Sequence, residues 1–163
     1  MSKKFIFWDL ETTGLNPAFD SIIQCAAVLT DEKFNVIDEF NIRGRMKEEY
    51  PVPSPSAMLV TEVPVEQLKN EKLSNFEMIS EIQNKFLSWG EAVYLSYNGL
   101  KFDEIFLRQG LYQSALPPYL TNTNGNKRGD VMKLLHTAAA VAPNSFAKPI
   151  NDETGKVTFR LEL

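Results

Sequence analysis

The amino-acid sequence predicts an α/β domain with a mixed β-sheet flanked by helices. Two observations support this fold class. Three segments near the start of the chain, residues 5–8, 22–30 and 34–42, are apolar or alternate apolar with polar residues, which is typical of strands. Beyond them, segments with helical periodicity alternate with a short apolar segment, and this order indicates a sheet covered by helices.

The three strands are expected to form a meander. Residues 31–33, Asp-Glu-Lys, predict a hairpin turn between the second and third strands. A polar passage follows over residues 43–56. We expect a surface loop there, because three prolines oppose regular structure: Pro51, Pro53 and Pro55.

The central part of the chain predicts two helices and a strand between them. Ser74 and Glu77 have the spacing of a capping box, apolar residues recur at helical spacing behind them, and Gly90 is expected to end this helix. Residues 92–97 predict a short buried strand. A second helix is expected from about residue 103 to residue 113, ahead of two prolines.

The last part of the chain predicts a loop, a helix and a final strand. Residues 121–129 are loop by composition. Asp130 is expected to cap a helix that ends before Pro143 and whose inner face holds Val131, Leu134, Leu135 and Ala138. Residues 151–155 predict a turn, and residues 157–163 a strand.

Composition limits the class of protein. The 163 residues suffice for one domain with a proper core, so we expect a single domain over residues 1–163. No apolar stretch approaches the roughly 20 residues of a membrane span. The N-terminus lacks the apolar region of a secretion signal, and the single cysteine, Cys25, cannot form an internal disulfide. We therefore expect a cytoplasmic location and no membrane partner.

The formal net charge of −4 bears on the partner. A protein that grips duplex DNA through many phosphates usually carries a basic surface, which this charge does not suggest. An enzyme that holds a short single strand through metal ions and stacking has no such need.

Two carboxylates occupy an unusual place in the first predicted strand. Because side chains on a strand alternate between faces, Asp9 and Glu11 share a face with Phe5 and Phe7. Neighbouring carboxylates on an apolar strand repel each other and are costly to desolvate, and a divalent cation is the usual compensation. The alternative is a strand end that emerges into water with both acids solvated. The Thr-Thr-Gly that follows, ending at Gly14, indicates a sharp turn there.

Two motifs resemble those of a known superfamily. The segment DLETTG, residues 9–14, resembles the first motif of the DEDD superfamily of 3′→5′ exonucleases, which includes proofreading subunits, oligoribonuclease, RNase T and bacterial exonuclease I. The segment LSYNGLKFDE, residues 95–104, has the order strand, Asn, turn, Phe, Asp, helix of the second motif. Its Asp103 corresponds to a metal ligand, although an aspartate at this place is as often only a helix N-cap. Glu104 resembles a second acid of exonuclease I; its alternative role is a favourable charge at the helix N-terminus.

Further segments resemble the bacterial exonuclease I family in particular. They follow one another in order over nearly the whole chain, at residues 19–27, 33–37, 55–63, 129–132 and 158–162. The segment 55–63, PSAMLVTEV, corresponds to a part of that family near the 3′-terminal nucleotide.

The resemblance implies a fold, an activity and a set of partners. The fold would be an RNase H-like mixed sheet. The activity would be metal-dependent hydrolysis of single-stranded DNA from its 3′ end, with release of nucleoside monophosphates, in DNA repair and recombination. The parent protein would also bind single-stranded-DNA-binding protein.

The resemblance also implies the site residues. Asp9, Glu11 and Asp103 would be catalytic and would hold two metal ions, Mg²⁺ or alternatively Mn²⁺, roughly 4 Å apart. The substrate would be contacted by residues near its 3′ end: Thr12, Thr13, Gly14, Met58, Leu59, Thr61, Asn98 and Phe102.

The third block of the superfamily, H-x-x-x-x-D on a helix, does not occur in these 163 residues. Its histidine is the general base and its aspartate the fourth metal ligand. The only histidine, His136, is followed five residues later by Val141, and we assign it no role. We therefore expect the domain to lack its last helix. The chain alone should be weakly active or inactive, since a missing base costs about 10²- to 10⁴-fold in rate.

Other functions stay open at this point. A non-catalytic nucleic-acid-binding module is one, although such a module needs no costly set of three carboxylates. A 3′→5′ exoribonuclease is another, because the motifs do not indicate whether the site prefers RNA, with its 2′-hydroxyl, or DNA. The sequence also leaves open whether the chain is a fragment or a natural short protein, and whether it is oligomeric.

Overall fold

The computed structural model describes residues 3–47 and 52–142. The elements follow in the order β1 (Phe5–Thr12), β2 (Ile22–Thr30), β3 (Val36–Arg43), α1 (Pro55–Thr61), α2 (Val65–Asn70), α3 (Asn75–Trp89), β4 (Val93–Ser96), α4 (Asp103–Gln113), β5 (Lys127–Asp130) and α5 (Val131–Val141). Short 3-10 turns lie at Gly99–Lys101 and Leu120–Asn122.

The strands form one mixed sheet in the order β3-β2-β1-β4-β5. The first three strands pair antiparallel, which confirms the predicted meander. β4 pairs parallel with β1, and β5 pairs parallel with β4. The carboxyl ends of β1, β4 and β5 therefore meet at the same end of the sheet, where open α/β sheets usually carry their sites.

The core lies between one face of the sheet and helices α3 and α4. Along β1 buried side chains alternate with partly exposed ones, so that Ile6, Trp8 and Leu10 enter the core. The ring of Phe86 on α3 packs edge-on against Trp8, with centroids 6.0 Å apart, and against Tyr94 on β4 at 5.4 Å. This packing fixes β1, whose opposite face carries the two acids.

The predicted helix ends are confirmed. The hydroxyl of Ser74 accepts the backbone N–H of Glu77, and the carboxylate of Glu77 accepts the N–H of Ser74 at 2.7 Å, which completes the capping box. Gly90 ends α3 with φ 70°. Asp130 caps α5 by accepting the N–H of Lys133 at 3.4 Å.

Three predictions about local structure were wrong. Residues 127–129, the end of the predicted loop, belong to the strand β5, because they pair with β4. Pro55 does not interrupt structure but begins α1, since the first position of a helix tolerates proline. Leu134 is 61% exposed, so it does not face the core. The turn at 151–155 and the strand at 157–163 fall outside the described residues.

Within those residues, no helix combines the length and the apolar character needed to cross a bilayer.

Candidate active site

The two acids of β1 line a pocket at the carboxyl end of the strand. The pocket has a volume of about 360 Å³. Asp9 and Glu11 flank Leu10, which is 4% exposed and points into the core, so the acids share the opposite face as predicted. Apolar neighbours at the same pocket are Leu15 and Val60.

Asp103 completes the set from the first turn of α4. It is 3% exposed, and its Oδ1 accepts the backbone N–H of Leu10 at 3.0 Å. This bond joins α4 directly to the strand residue that lies between Asp9 and Glu11. The three predicted catalytic acids therefore line one pocket, although Asp103 lies about 90 positions after the other two in the sequence.

A tight turn between β4 and α4 positions Asp103 beside β1. Asn98 adopts a left-handed conformation, with φ 59°, which asparagine tolerates better than most residues. Gly99 follows, and a β-carbon there would lie 2.1 Å from Oγ of Ser96 and 2.7 Å from Oδ2 of Asp103. Only glycine fits this position without moving its neighbours. The Asn-Gly pair is thus required for the path from β4 to α4.

Burial raises the pKa of all three carboxyls, and the charge of Asp9 adds to the rise at Glu11 and Asp103. Burial, followed by the charge of Asp9, raises the pKa of Asp103 to about 7. The pKa of Asp9 is raised by burial and lowered in part by a backbone hydrogen bond at Leu10. For Glu11 burial again acts first, then Asp9, while Arg43 opposes the rise. Ionising all three at once is therefore costly.

No lysine or arginine among the described residues forms a salt bridge with these acids. Three carboxylates without a salt-bridge partner among the described residues offer oxygen ligands, which suit a hard divalent ion. Their side chains nevertheless do not form a ready cluster, because residues 3–47 and 52–142 contain no group of three His, Cys, Asp or Glu residues arranged to hold one metal. The donor set fits a metal in kind, and the ligand assignment stays a prediction.

The predicted substrate-binding residues are divided between the pocket and its surroundings. Five of them line it: Thr12, Gly14, Thr61, Asn98 and Phe102. The hydroxyl of Thr61 is buried there with no hydrogen-bond partner in the described structure.

The other three are not among the residues that line the pocket. Thr13 is buried, and its hydroxyl accepts the N–H of Ser21 at 2.8 Å. Met58 packs against a small apolar cluster with Ile23 and Leu68. Leu59 is 80% exposed on α1.

Six residues outside the predicted set also line the pocket: Leu15, Ser54, Ser56, Ala57, Val60 and Tyr97. Three of them, Ser56, Ala57 and Val60, belong to the segment 55–63 that the resemblance placed near the 3′-terminal nucleotide. Helix α1 is held beside the acids because the N–H of Ser54 donates to the carbonyl of Thr13 at 2.8 Å. The signal for this helix was the serine before Pro55, since Ser at the N-cap and Pro at the first helical position mark a helix start.

Glu104 has a different environment from Asp103. Its side chain is 4% exposed and forms salt bridges with Arg108 at 2.9 Å and Arg128 at 3.0 Å. It also accepts the hydroxyl of Thr121, at 2.6 and 2.7 Å to its two oxygens. The charge of Glu104 is therefore compensated within the protein, which favours a structural role.

Comparison with known proteins gives a consistent result. A model of the RNase T type, described as exonuclease, matches residues 6–147. Exodeoxyribonuclease I of Haemophilus influenzae is 31% identical over 160 residues, which are 97% of this chain and 33% of that protein. Exodeoxyribonuclease I of Escherichia coli is 30% identical over 159 residues, with the same coverage of both proteins.

Solved structures agree. E. coli exonuclease I in complex with a dT13 oligonucleotide superposes with a TM-score of 0.88 at 28% identity, covering 97% of this chain and 34% of that one. The complex of ExoI with SSB-Ct gives a TM-score of 0.89 at 28% identity, over 98% of this chain and 35% of that one. The mixed sheet thus has the RNase H-like fold that the motifs implied. The chain spans about a third of the length of these relatives.

Proposed function

This chain belongs to the exonuclease family, and we propose that it forms a metal-dependent 3′→5′ exonuclease domain acting on single-stranded DNA. The proposed reaction hydrolyses the phosphodiester bond at the 3′ end and releases a nucleoside monophosphate. The observation that carries the proposal is the pocket itself: three carboxylates from two elements line it, and none of them forms a salt bridge with a described cationic side chain.

Exonuclease domains of this family generally depend on divalent metal ions. In this chain Asp9, Glu11 and Asp103 would hold Mg²⁺ or Mn²⁺, in a two-metal site. Bound there, such ions would lower the pKa of a water and stabilise negative charge on the leaving 3′-oxygen. The carboxyls must be ionised for this purpose, and burial, which raises the pKa of Asp103 to about 7 in the metal-free protein, makes protonation compete with metal binding there.

The remaining pocket residues would bind and orient the strand. Leu15, Val60 and Phe102 offer apolar surface against which a nucleobase can pack. The hydroxyl of Thr61 and the amide of Asn98 offer hydrogen bonds to the sugar and phosphate, whereas the hydroxyl of Thr12 already donates to the carbonyl of Gly14 at 2.7 Å. Together they would hold the 3′ end over the acids and exclude bulk water from it.

The substrate and partners are inferred from the relatives. Solved relatives contain single-stranded oligonucleotides and an SSB C-terminal segment. We therefore extend to this chain a single-stranded DNA substrate and, for the protein to which it corresponds, contact with single-stranded-DNA-binding protein, a role in DNA repair and a cytoplasmic location.

A cleavage assay tests the function. A 5′-labelled DNA strand and an RNA strand of the same sequence are incubated with excess protein, with Mg²⁺, Mn²⁺ or EDTA. We expect slow, metal-dependent shortening of the DNA from its 3′ end. Asp9→Ala should abolish it, whereas Glu39→Ala, which removes an exposed acid on β3, should not.

The alternatives give different results in the same assay. Faster shortening of the RNA strand would favour an exoribonuclease. Metal-dependent binding of the DNA without any cleavage would favour a non-catalytic module. Shortening that persists in EDTA or in Asp9→Ala would refute the proposed mechanism.

A further inference from the structure

Asp130 makes a second contact that its role as a helix cap does not require. It is 4% exposed at the junction of β5 and α5. Its Oδ1 accepts the N–H of Lys133, which caps α5, and also the N–H of Asn98 at 3.1 Å. Its Oδ2 is buried with no hydrogen-bond partner in the described part of the chain. A cap at the surface would avoid the cost of burying this charge.

The second contact reaches the turn that carries the third acid. Asn98 holds a left-handed conformation that costs free energy, and the bond to Asp130 offsets part of that cost. The adjacent Gly99 leaves no spare room between Ser96 and Asp103. A shift of this turn therefore moves Asp103 against Leu10, whose N–H it accepts.

The sheet brings these groups together. Ser96 at the end of β4 pairs with Asp130 at the end of β5, and β4 also runs parallel to β1. Asp130 thus lies at the carboxyl end of β5, the Asn98–Gly99 turn follows the carboxyl end of β4, and Asp9 and Glu11 lie near the carboxyl end of β1. Two hydrogen bonds connect Asp130 to the acid pocket: Asp130 accepts the N–H of Asn98, and Asp103 accepts the N–H of Leu10.

We propose that Asp130 is a positioning residue for the acid pocket, which fixes the Asn98–Gly99 turn and thereby holds Asp103 against β1. It is not among the residues that line the pocket, so its proposed effect on a bound metal is indirect and passes through the turn. The consequence for metal binding rests on the proposed function, whereas the ordering of the turn does not.

Three variants separate positioning from simple stability. Asp130→Ser keeps an N-cap for α5, but its shorter side chain loses the bond to Asn98. Asp130→Asn keeps an oxygen that can accept both N–H groups. Ser74→Ala is the matched control, because it removes the cap of α3 and destabilises the protein without changing this turn.

Two measurements are made on the full chain. The first is hydrogen exchange at the amide of Leu10, followed by NMR, which reports on Asp103 without any metal. The second is the affinity for Mn²⁺ by calorimetry. In Asp130→Ser we expect Leu10 exchange to rise about 10- to 100-fold and Mn²⁺ affinity to fall by a similar factor. Asp130→Asn should stay near the wild type in both, and Ser74→Ala should leave the Mn²⁺ affinity unchanged.

The outcomes distinguish the two proposals. If Asp130→Ser changes Leu10 exchange no more than Ser74→Ala does, the positioning role is refuted. If Asp130→Asn is as impaired as Asp130→Ser, the hydrogen bonds are not the cause, and the proposal also fails. If the wild type binds no Mn²⁺, the metal-dependent function is refuted, while Leu10 exchange still decides the role of Asp130.

Discussion

Replacing Asp103 with asparagine should stabilise the metal-free protein at neutral and alkaline pH. The carboxyl is 3% exposed, and its pKa is raised to about 7 by burial and by the charge of Asp9. Asparagine has nearly the same shape and keeps an oxygen that can accept the N–H of Leu10. The substitution therefore removes the buried charge and little else.

The expected magnitude follows from linkage. The folded-state pKa of Asp103 lies above the value of 3.8 expected in the unfolded chain. Folding thus favours the protonated form, whose contribution to stability is complete below about pH 3.8 and is lost as pH rises through 7. Over that range the loss amounts to about 4 kcal/mol. Asp103→Asn should recover most of this at pH 8 and only about 1 kcal/mol at pH 4.5.

Urea denaturation in EDTA at pH 4.5 and pH 8 measures the effect. Asp31→Asn is the control, because hydrogen bonds from Asn35 lower the pKa of Asp31, so its loss should not stabilise the protein as pH rises. Equal stability of Asp103→Asn and wild type at pH 8 would refute the reasoning. So would a gain of the same size at both pH values, since it would not come from the titration of Asp103.

Three further predictions concern the same region. Mg²⁺ at 100 times Kd should narrow the difference in stability at pH 8, because it should raise the wild type by about 2.7 kcal/mol in the same urea assay while Asp103→Asn gains much less. Glu104→Gln should lower the free energy of unfolding by about 3 kcal/mol, because it leaves Arg108 and Arg128 without their partner. Mg²⁺ should still stabilise this variant, and loss of that stabilisation would indicate that Glu104 is a metal ligand. Gly99→Ala should lower the free energy of unfolding by about 1 to 3 kcal/mol and weaken Mn²⁺ binding measured by calorimetry. Unchanged Mn²⁺ binding would show that the turn accommodates the added methyl group without displacing Asp103.

Elements whose signals are local could be predicted from the sequence. The capping box of Ser74 and Glu77 and the stop at Gly90 define α3 through hydrogen bonds within a few residues. The alternation along β1 placed both acids on one face, because the period of a strand follows from its backbone.

Elements that depend on distant partners could not be predicted in this way. The strand β5, with sequence KRGD, has no apolar pattern and is a strand only because Val93–Ser96 supplies its hydrogen-bond partners. The resemblance placed the segment 55–63 near the 3′ end of the substrate, but the helix α1 that this segment forms was not predicted, for a similar reason. Its position depends on the bond from Ser54 to Thr13, which links segments that no local pattern relates.

The first turn of α4 shows how the fold separates two adjacent acids. Glu104 is enclosed by Arg108, Arg128 and Thr121, so its charge is compensated by the protein itself. Asp103, one residue earlier, receives a backbone N–H from β1, and no described cationic side chain pairs with it. A backbone N–H orients a carboxylate without neutralising it, and the same holds for the bonds that Asp130 accepts from Asn98 and Lys133. The pocket is thus held in shape by neutral donors, and its negative charge stays available to a cation from solution.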